Sequence, residues 1–97
     1  MEKLALLARL EAKPGKEHEL AAFLTSAVAI AREETETVNW YALKLGPATF
    51  GIFDTFQNEE GRQAHLAGQI ARDLMAKAPE LLAVAPVIEQ VELLAVR

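Results

Sequence analysis

The stretch VNWYALKLGPATFGIFDTFQ, Val38 to Gln57, decides the fold. Its two halves, Val38 to Leu45 and Thr49 to Gln57, are rich in β-branched and aromatic residues, and Gly46-Pro47-Ala48 between them has the composition of a turn. They read as a hairpin. Asn58 then supplies an N-cap, and Glu59 and Glu60 set carboxylates beside the unpaired N–H groups of a helix that starts at about Glu59. The expected inner stripe of this helix is Leu66, Ile70 and Leu74. Gly68 weakens it by about 1 kcal/mol relative to Ala, enough to break it into two pieces. Pro79 ends the helix or opens a short turn through Leu81-Leu82.

Upstream, KLALLARLEA (Lys3 to Ala12) alternates and stops at Lys13-Pro14-Gly15, which suits a strand entering a turn. From Lys16 to about Thr35 the apolar spacing becomes three to four, through Leu20, Leu24, Ala27/Val28 and Ala31, which is one stripe of a helix. Downstream, VIEQVELLAV (Val87 to Val96) is a β-branched run that closes the chain as a fourth strand. Strand, helix, strand, strand, helix, strand is the split βαβ order: a ferredoxin-like α+β fold, βαββαβ, with a four-stranded antiparallel sheet and its helices on one face.

In such a layer the face away from the helices meets water and should be polar. Here it is not. The first strand carries Ala5 and Leu7 on the register opposite Leu4, Leu6, Ala8 and Leu10; the third sets Phe53 against Phe50, Ile52 and Phe56; the fourth mixes Val87 and Val91 with Ile88. An apolar sheet face of this kind marks an interaction site, and a second copy packed sheet to sheet is the economical cover. A homodimer through the sheet faces is therefore expected.

Composition narrows the partners. Ninety-seven residues make one domain, 1–97, and 52% hydrophobic with 25% charged residues excludes a disordered or low-complexity chain. The longest uncharged stretch, Leu20 to Ala31, falls short of the roughly 20 residues that cross a bilayer, and the start lacks a signal-peptide layout. The expectation is a cytoplasmic protein without a membrane partner. No cysteine is present, so thiolate chemistry and cysteine-held metal are excluded. A net charge of -4 without a basic run leaves nothing to neutralise phosphates, so nucleic acid is not an expected partner. Triad hydrolysis and nucleotide phosphate binding have no motif, and two separated histidines make no metal site by spacing.

Three segments, Ala12-Lys13-Pro14-Gly15-Lys16-Glu17, Phe50-Gly51-Ile52-Phe53-Asp54-Thr55-Phe56 and Gly61-Arg62-Gln63-Ala64-His65-Leu66-Ala67-Gly68, in their order and spacing resemble the antibiotic biosynthesis monooxygenase (ABM) superfamily of dimeric α+β barrels. The resemblance spans nearly the whole chain. It implies the fold and a dimer, and it admits several activities: cofactor-independent oxygenases acting on phenols and quinols, haem-degrading enzymes, and an isomerase of a small phosphorylated dione. Haem degradation fits least. That branch uses an Asn on the first strand with a Trp and an iron-binding His in the second helical segment, where this chain has Ala8, His65 and Met75. The implied activity is oxygenation of a small phenolic or quinol substrate with no cofactor and no metal, in an apolar pocket between sheet and helices. The alternative is a non-catalytic dimeric module that binds a small aromatic molecule.

His65 and Asp54 are the candidate catalytic residues. An imidazole beside the buried stripe of the second helix, with an ordinary pKa near 6.5, suits a general base toward a phenol; the same ring could instead be a half-buried histidine bonded to backbone. Asp54 is out of place among Phe50, Ile52 and Phe56 and needs a partner, for which Arg62, Arg72 or Arg9 are available, either in a structural ion pair or as an acid or base. Trp40 and Tyr41 are adjacent on a strand and point to opposite faces; whichever turns inward would line the pocket with Phe50 or Phe53 and with Phe23. Arg62, one turn before His65, could orient an anionic oxygen or be a solvated surface arginine. His18, between Glu17 and Glu19, should face solvent, and Glu33-Glu34-Thr35-Glu36 reads as a solvated helix end.

Overall fold

The computed structural model describes residues 2–97. The elements are β1 (Leu4–Glu11), α1 (Glu17–Glu33), β2 (Thr37–Lys44), β3 (Thr49–Phe56), α2 (Glu59–Leu66), α3 (Gln69–Leu81) and β4 (Val87–Glu92). The strands form one antiparallel sheet in the order β2-β3-β1-β4, the ferredoxin-like arrangement. At the end of β1, Pro14-Gly15 makes the turn into α1, and Gly15 takes the left-handed φ of 87° that a residue with a side chain adopts only at a cost.

Register assigns each side chain to a face. Leu6, Ala8 and Leu10 of β1 stand opposite Asp54, Ile52 and Phe50 of β3, and these in turn oppose Trp40, Ala42 and Lys44 of β2. That is the helix-covered face. Leu10, Phe50 and Ile52 pack there with Leu20, Leu24, Ala27 and Ala31 of α1 and with Ile70, Leu74 and Leu81 of α3 to form the core. The opposite face carries Leu7, Phe53 and Tyr41 in one row across three strands, with Val91 and Leu43 in the flanking rows. Tyr41 stacks on Phe53 at a centroid separation of 6.4 Å, and Arg9 pairs with Glu89 at 3.5 Å on the same side. Among the described residues no helix covers these side chains, and Tyr41 is exposed. Gly51 lies between Arg9 and Leu43, and a Cβ there would stand 2.8 Å from the carbonyl oxygen of Ala8, so only glycine fits.

Two boundaries and one buried face differ from the sequence reading. Pro79 neither ends α3 nor opens a separate turn: it occupies the last turn, and the helix runs on to Leu81, with Leu82 N–H donating to Ala78 O at 2.9 Å. Lys13 N–H to Leu81 O and Ala83 N–H to Glu11 O, both 2.8 Å, tie this helix end to the end of β1 and offset the donor that proline lacks. Strand β4 stops at Glu92 rather than Val96, because its partner β1 begins at Leu4, opposite Glu92; beyond it only Leu93 N–H to Lys3 O remains, and Leu94 is exposed. The inner face of α2 is Gly61, Arg62 and His65, two of them polar, whereas Leu66 is only half-buried. The break at Gly68 is present, as a turn closed by Gly68 N–H to His65 O at 2.9 Å.

Asn58 caps α2 by accepting from Gly61 N–H at 2.9 Å. Asn58→Ala should lower the unfolding free energy by about 1 kcal/mol in a urea titration at unchanged m-value; no change in midpoint would show that the helix start does not depend on this cap.

Candidate functional site

Three elements converge on the imidazole of His65. Strand β3 supplies Asp54, which its register turns to the helix face between Leu6 and Trp40. Helix α2, started by the Asn58 cap, turns His65 inward, where it is 8% exposed. The end of α1 supplies Glu34: the backbone becomes extended there (φ -81, ψ 111), which ends the helix and directs the side chain back toward α2. His65 Nε2 lies 2.8 Å from Asp54 Oδ2, and Nδ1 lies 2.7 Å from Glu34 Oε1. The same Glu34 oxygen accepts a hydrogen bond from Thr37 Oγ1 at 2.7 Å. The ring of Phe56 closes one side at 5.5 Å between centroids.

Asp54 is 1% exposed, and neither of its oxygens has a well-aligned donor, so charge and proximity hold the pair together. Burial pushes the Asp54 carboxyl above its ordinary value, and His65 offsets this only in part. Burial also works against the imidazolium of His65, but the adjacent carboxylates of Asp54 and then Glu34 outweigh it, and the His65 pKa is raised. Each ring nitrogen faces a different carboxylate. The two carboxylates thus flank the ring instead of converging on a point, and among the described residues no cluster is arranged to hold a metal ion.

His65 separates two spaces. Toward the sheet is a cavity of about 40 Å³, lined by Leu6, Ile52, Ile70, Leu74 and other apolar side chains, with Asp54 and His65 its polar members. Toward solvent, a groove of about 370 Å³ runs between the end of α1 and the α2–α3 junction, with Glu34 and His65 in its wall. The cavity has room for a water-sized molecule and the groove for a larger one.

The residues expected to form the site are only partly assembled. His65 and Asp54 are brought together. Of the two adjacent aromatics, Trp40 faces the helices, its Nε1 buried without a partner, but it lines a cleft with Val28, Ala31 and Arg32 and not the cavity at Asp54. Tyr41, 51% exposed, and Phe53 lie on the uncovered face of the sheet. Phe50 is core beneath α1, and Phe23 sits between α1 and α3 beside Lys77 and Leu81. The aromatics therefore do not enclose one pocket, because alternation along β2 and β3 sends Tyr41 and Phe53 through the sheet.

Arg62 is neither a surface residue nor the partner of Asp54. It is 6% exposed, donates from Nε to Glu59 Oε2 at 3.0 Å and from Nη1 to the carbonyls of Val91 at 3.3 Å and Ala5 at 3.4 Å, and so fastens α2 to β1 and β4. Arg9 is on the opposite face of the sheet, and Arg72 donates to Ala67 O at 2.7 Å. Glu34 is half-buried, not solvated as its acidic surroundings suggested. One signal could have singled it out: a run of carboxylates at the C-terminal end of a helix opposes the helix dipole and calls for a compensating cation. His18 is exposed, as expected, and Met75 is exposed on α3.

The chain is similar to several solved structures. A protein of unknown function from Nitrosomonas europaea matches with 61% identity and a TM-score of 0.98, over 100% of this chain and 94% of that one. A candidate antibiotic biosynthesis monooxygenase from the same organism matches at 11% identity and TM-score 0.83, over 95% of this chain and 90% of that one. Another from Caulobacter crescentus matches at 15% identity and TM-score 0.81, over 97% and 92%. At 11% and 15% identity the likeness is one of fold. No protein-family model and no curated protein matches the chain, and among the described residues no helix is long and apolar enough to cross a membrane.

A group whose pKa is raised on folding stabilises the protein fully below its unfolded value and loses that contribution as pH rises through the folded one. For His65 the window opens at 6.5 and extends upward. The Tm difference between the protein and its His65→Gln variant should therefore be largest below that value and shrink as pH rises through the raised one. A difference independent of pH would show that the imidazolium is not held between the carboxylates.

Proposed function

The chain belongs to the family of the Nitrosomonas europaea protein of unknown function, and on that premise we propose that it is a cytoplasmic homodimer acting as a cofactor-independent monooxygenase on a small phenolic or quinol substrate. One observation carries this reading: a buried, ion-paired Asp54–His65 couple at the end of an otherwise apolar cavity between sheet and helices. The fold shared with two candidate antibiotic biosynthesis monooxygenases supports it. A buried carboxylate whose proton affinity is raised is a better base than an exposed one, and it has an oxygen with no aligned donor. The couple takes the proton of a quinol hydroxyl, and the imidazolium stabilises the anion formed.

The quinolate then supplies all four electrons that reduce dioxygen. One oxygen atom forms a C–O bond to a ring carbon, the O–O bond breaks, and the other oxygen leaves as water after taking back the proton held by the couple and the hydrogen displaced from the ring. Hydroquinone and dioxygen give hydroxyquinone and water. A benzene-sized guest occupies roughly 150 Å³ in an apolar cavity, so the ring can enter only by displacing the outer wall, formed by half-buried Leu66 and Ala71 and by Ile88, which is 46% exposed. The second reading is a dimeric module that binds a small molecule without turnover, and the groove of about 370 Å³ on the other side of His65 is the observation that favours it.

Oxygen uptake by the purified protein with a hydroquinone series, free of flavin, haem and metal, tests the activity. His65→Ala and Asp54→Asn should each lower it by about a hundredfold or more, and full activity in both would remove the couple from the mechanism. Binding without uptake would support the non-catalytic module. The dimer is proposed through the uncovered row Leu7, Phe53 and Tyr41. Phe53→Glu should give single chains in sedimentation at micromolar concentration, while a parent protein that is itself monomeric would rule the dimer out.

A further inference from the structure

We propose that Glu34 is a positioning residue of this site: its carboxylate holds Nδ1 of His65 and so presents Nε2 to Asp54 and the cavity. This rests on the quinol reading for its kinetic consequence, though not for its geometry.

Glu34 reaches His65 from 31 positions earlier in the chain, and Oε1 accepts from both Nδ1 of the ring and Oγ1 of Thr37. The Thr37 hydroxyl is a local partner, but a neutral donor does not account for the charge placed there. The carboxylate lies at the negative end of the helix dipole, between Glu33 and Glu36, where like charges and the dipole both disfavour it. An imidazolium offsets this cost. The junction between α2 and α3 lies close by: a Cβ on Gly68 would stand 3.1 Å from His65 O and 3.3 Å from Ala64 O, so a larger residue there would press on the backbone that carries His65, while Glu34 Oε2, at 3.6 Å, would be in ordinary contact.

The groups around the ring make the assignment specific. From β3 the charged neighbour is Asp54, and from the end of α1 it is Glu34. On its own helix, Arg62 is committed to Glu59 and the strand carbonyls, so its charge is turned away. Ile70, Ala71 and Leu74 of α3 and Ile88 of β4 contribute apolar surface to the cavity side. On the groove side are Glu33, Glu36 and Gln69. Two carboxylates on opposite ring nitrogens fix the orientation of the imidazole, and removing either leaves it free to rotate or to lose its proton. In hydrolases an orienting carboxylate on the far nitrogen of a catalytic histidine does comparable work, and its amide variant loses up to about 10⁴ in kcat.

The test uses Glu34→Gln, which keeps the shape and an acceptor oxygen but loses the charge, beside Glu34→Asp, which keeps the charge, and Glu80→Gln on α3 as a control at an exposed carboxylate that lines neither space beside His65. The pH at which His65 gives up its proton, read from ring resonances in NMR spectra of the intact protein, should fall in Glu34→Gln and lie closer to the parent in Glu34→Asp. With a hydroquinone as substrate, kcat in Glu34→Gln should fall about tenfold or more at a nearly unchanged KM, and the alkaline limb of the kcat profile should move to lower pH. Glu80→Gln should change neither. A His65 titration in Glu34→Gln identical to the parent's would overturn the proposal. If the parent oxidises no quinol but the titration moves, the positioning role stands and the oxygenase reading falls.

Discussion

A carboxylate on the inner face of a sheet is among the most expensive groups a small protein can bury, and the arrangement of this one follows from how Asp54 is compensated. Its register on β3 turns it under the helices, where no arginine reaches it. The compensating charge comes from His65, and His65 in turn requires α2 to start at the Asn58 cap, to face the sheet with polar side chains, and to end at Gly68 before α3 changes direction. The second carboxylate, Glu34, adds the end of α1 to the same cluster. Three segments far apart in sequence are thereby joined through one five-membered ring.

Much of the scaffold was legible because each element carries its own signal. Leu20, Leu24, Ala27 and Ala31 repeat at helical spacing and are the buried stripe of α1; Asn58 followed by Glu59 and Glu60 marks a helix start; Gly68 marks a break. Where ends depend on partners far along the chain, local reading fell short. Pro79 stays in its helix because the end of β1 supplies backbone partners, and β4 stops where β1 does. The site divides in the same way. Asp54 could be recognised as a charge in an apolar register, but that its partner is His65 and not an arginine depends on which face of α2 meets the sheet. Glu34 was hidden among glutamates, and only the extended backbone after α1 turns it inward.

The uncovered face of the sheet and the cavity pose separate physical questions. Leu7, Phe53 and Tyr41 form an apolar row with ion-paired Arg9 and Glu89 beside it, a composition suited to the centre and rim of an interface between copies. The aromatic residues expected to line a substrate pocket are mostly committed to that face or to the core. What remains beside the Asp54–His65 couple is a small aliphatic space, so the chemistry of the site is set by the couple and its access by the side chains of α2, α3 and β4.

A double-mutant cycle over Asp54→Asn and His65→Gln, read as unfolding free energies in denaturant, tests the central claim most directly. If the buried pair organises the structure, the two changes should be coupled by about 1–3 kcal/mol, each single variant losing what the other partner needed. Additivity within about 0.5 kcal/mol would mean that Asp54 and His65 do not depend on each other, and the account of both the fold and the site built around them would be wrong.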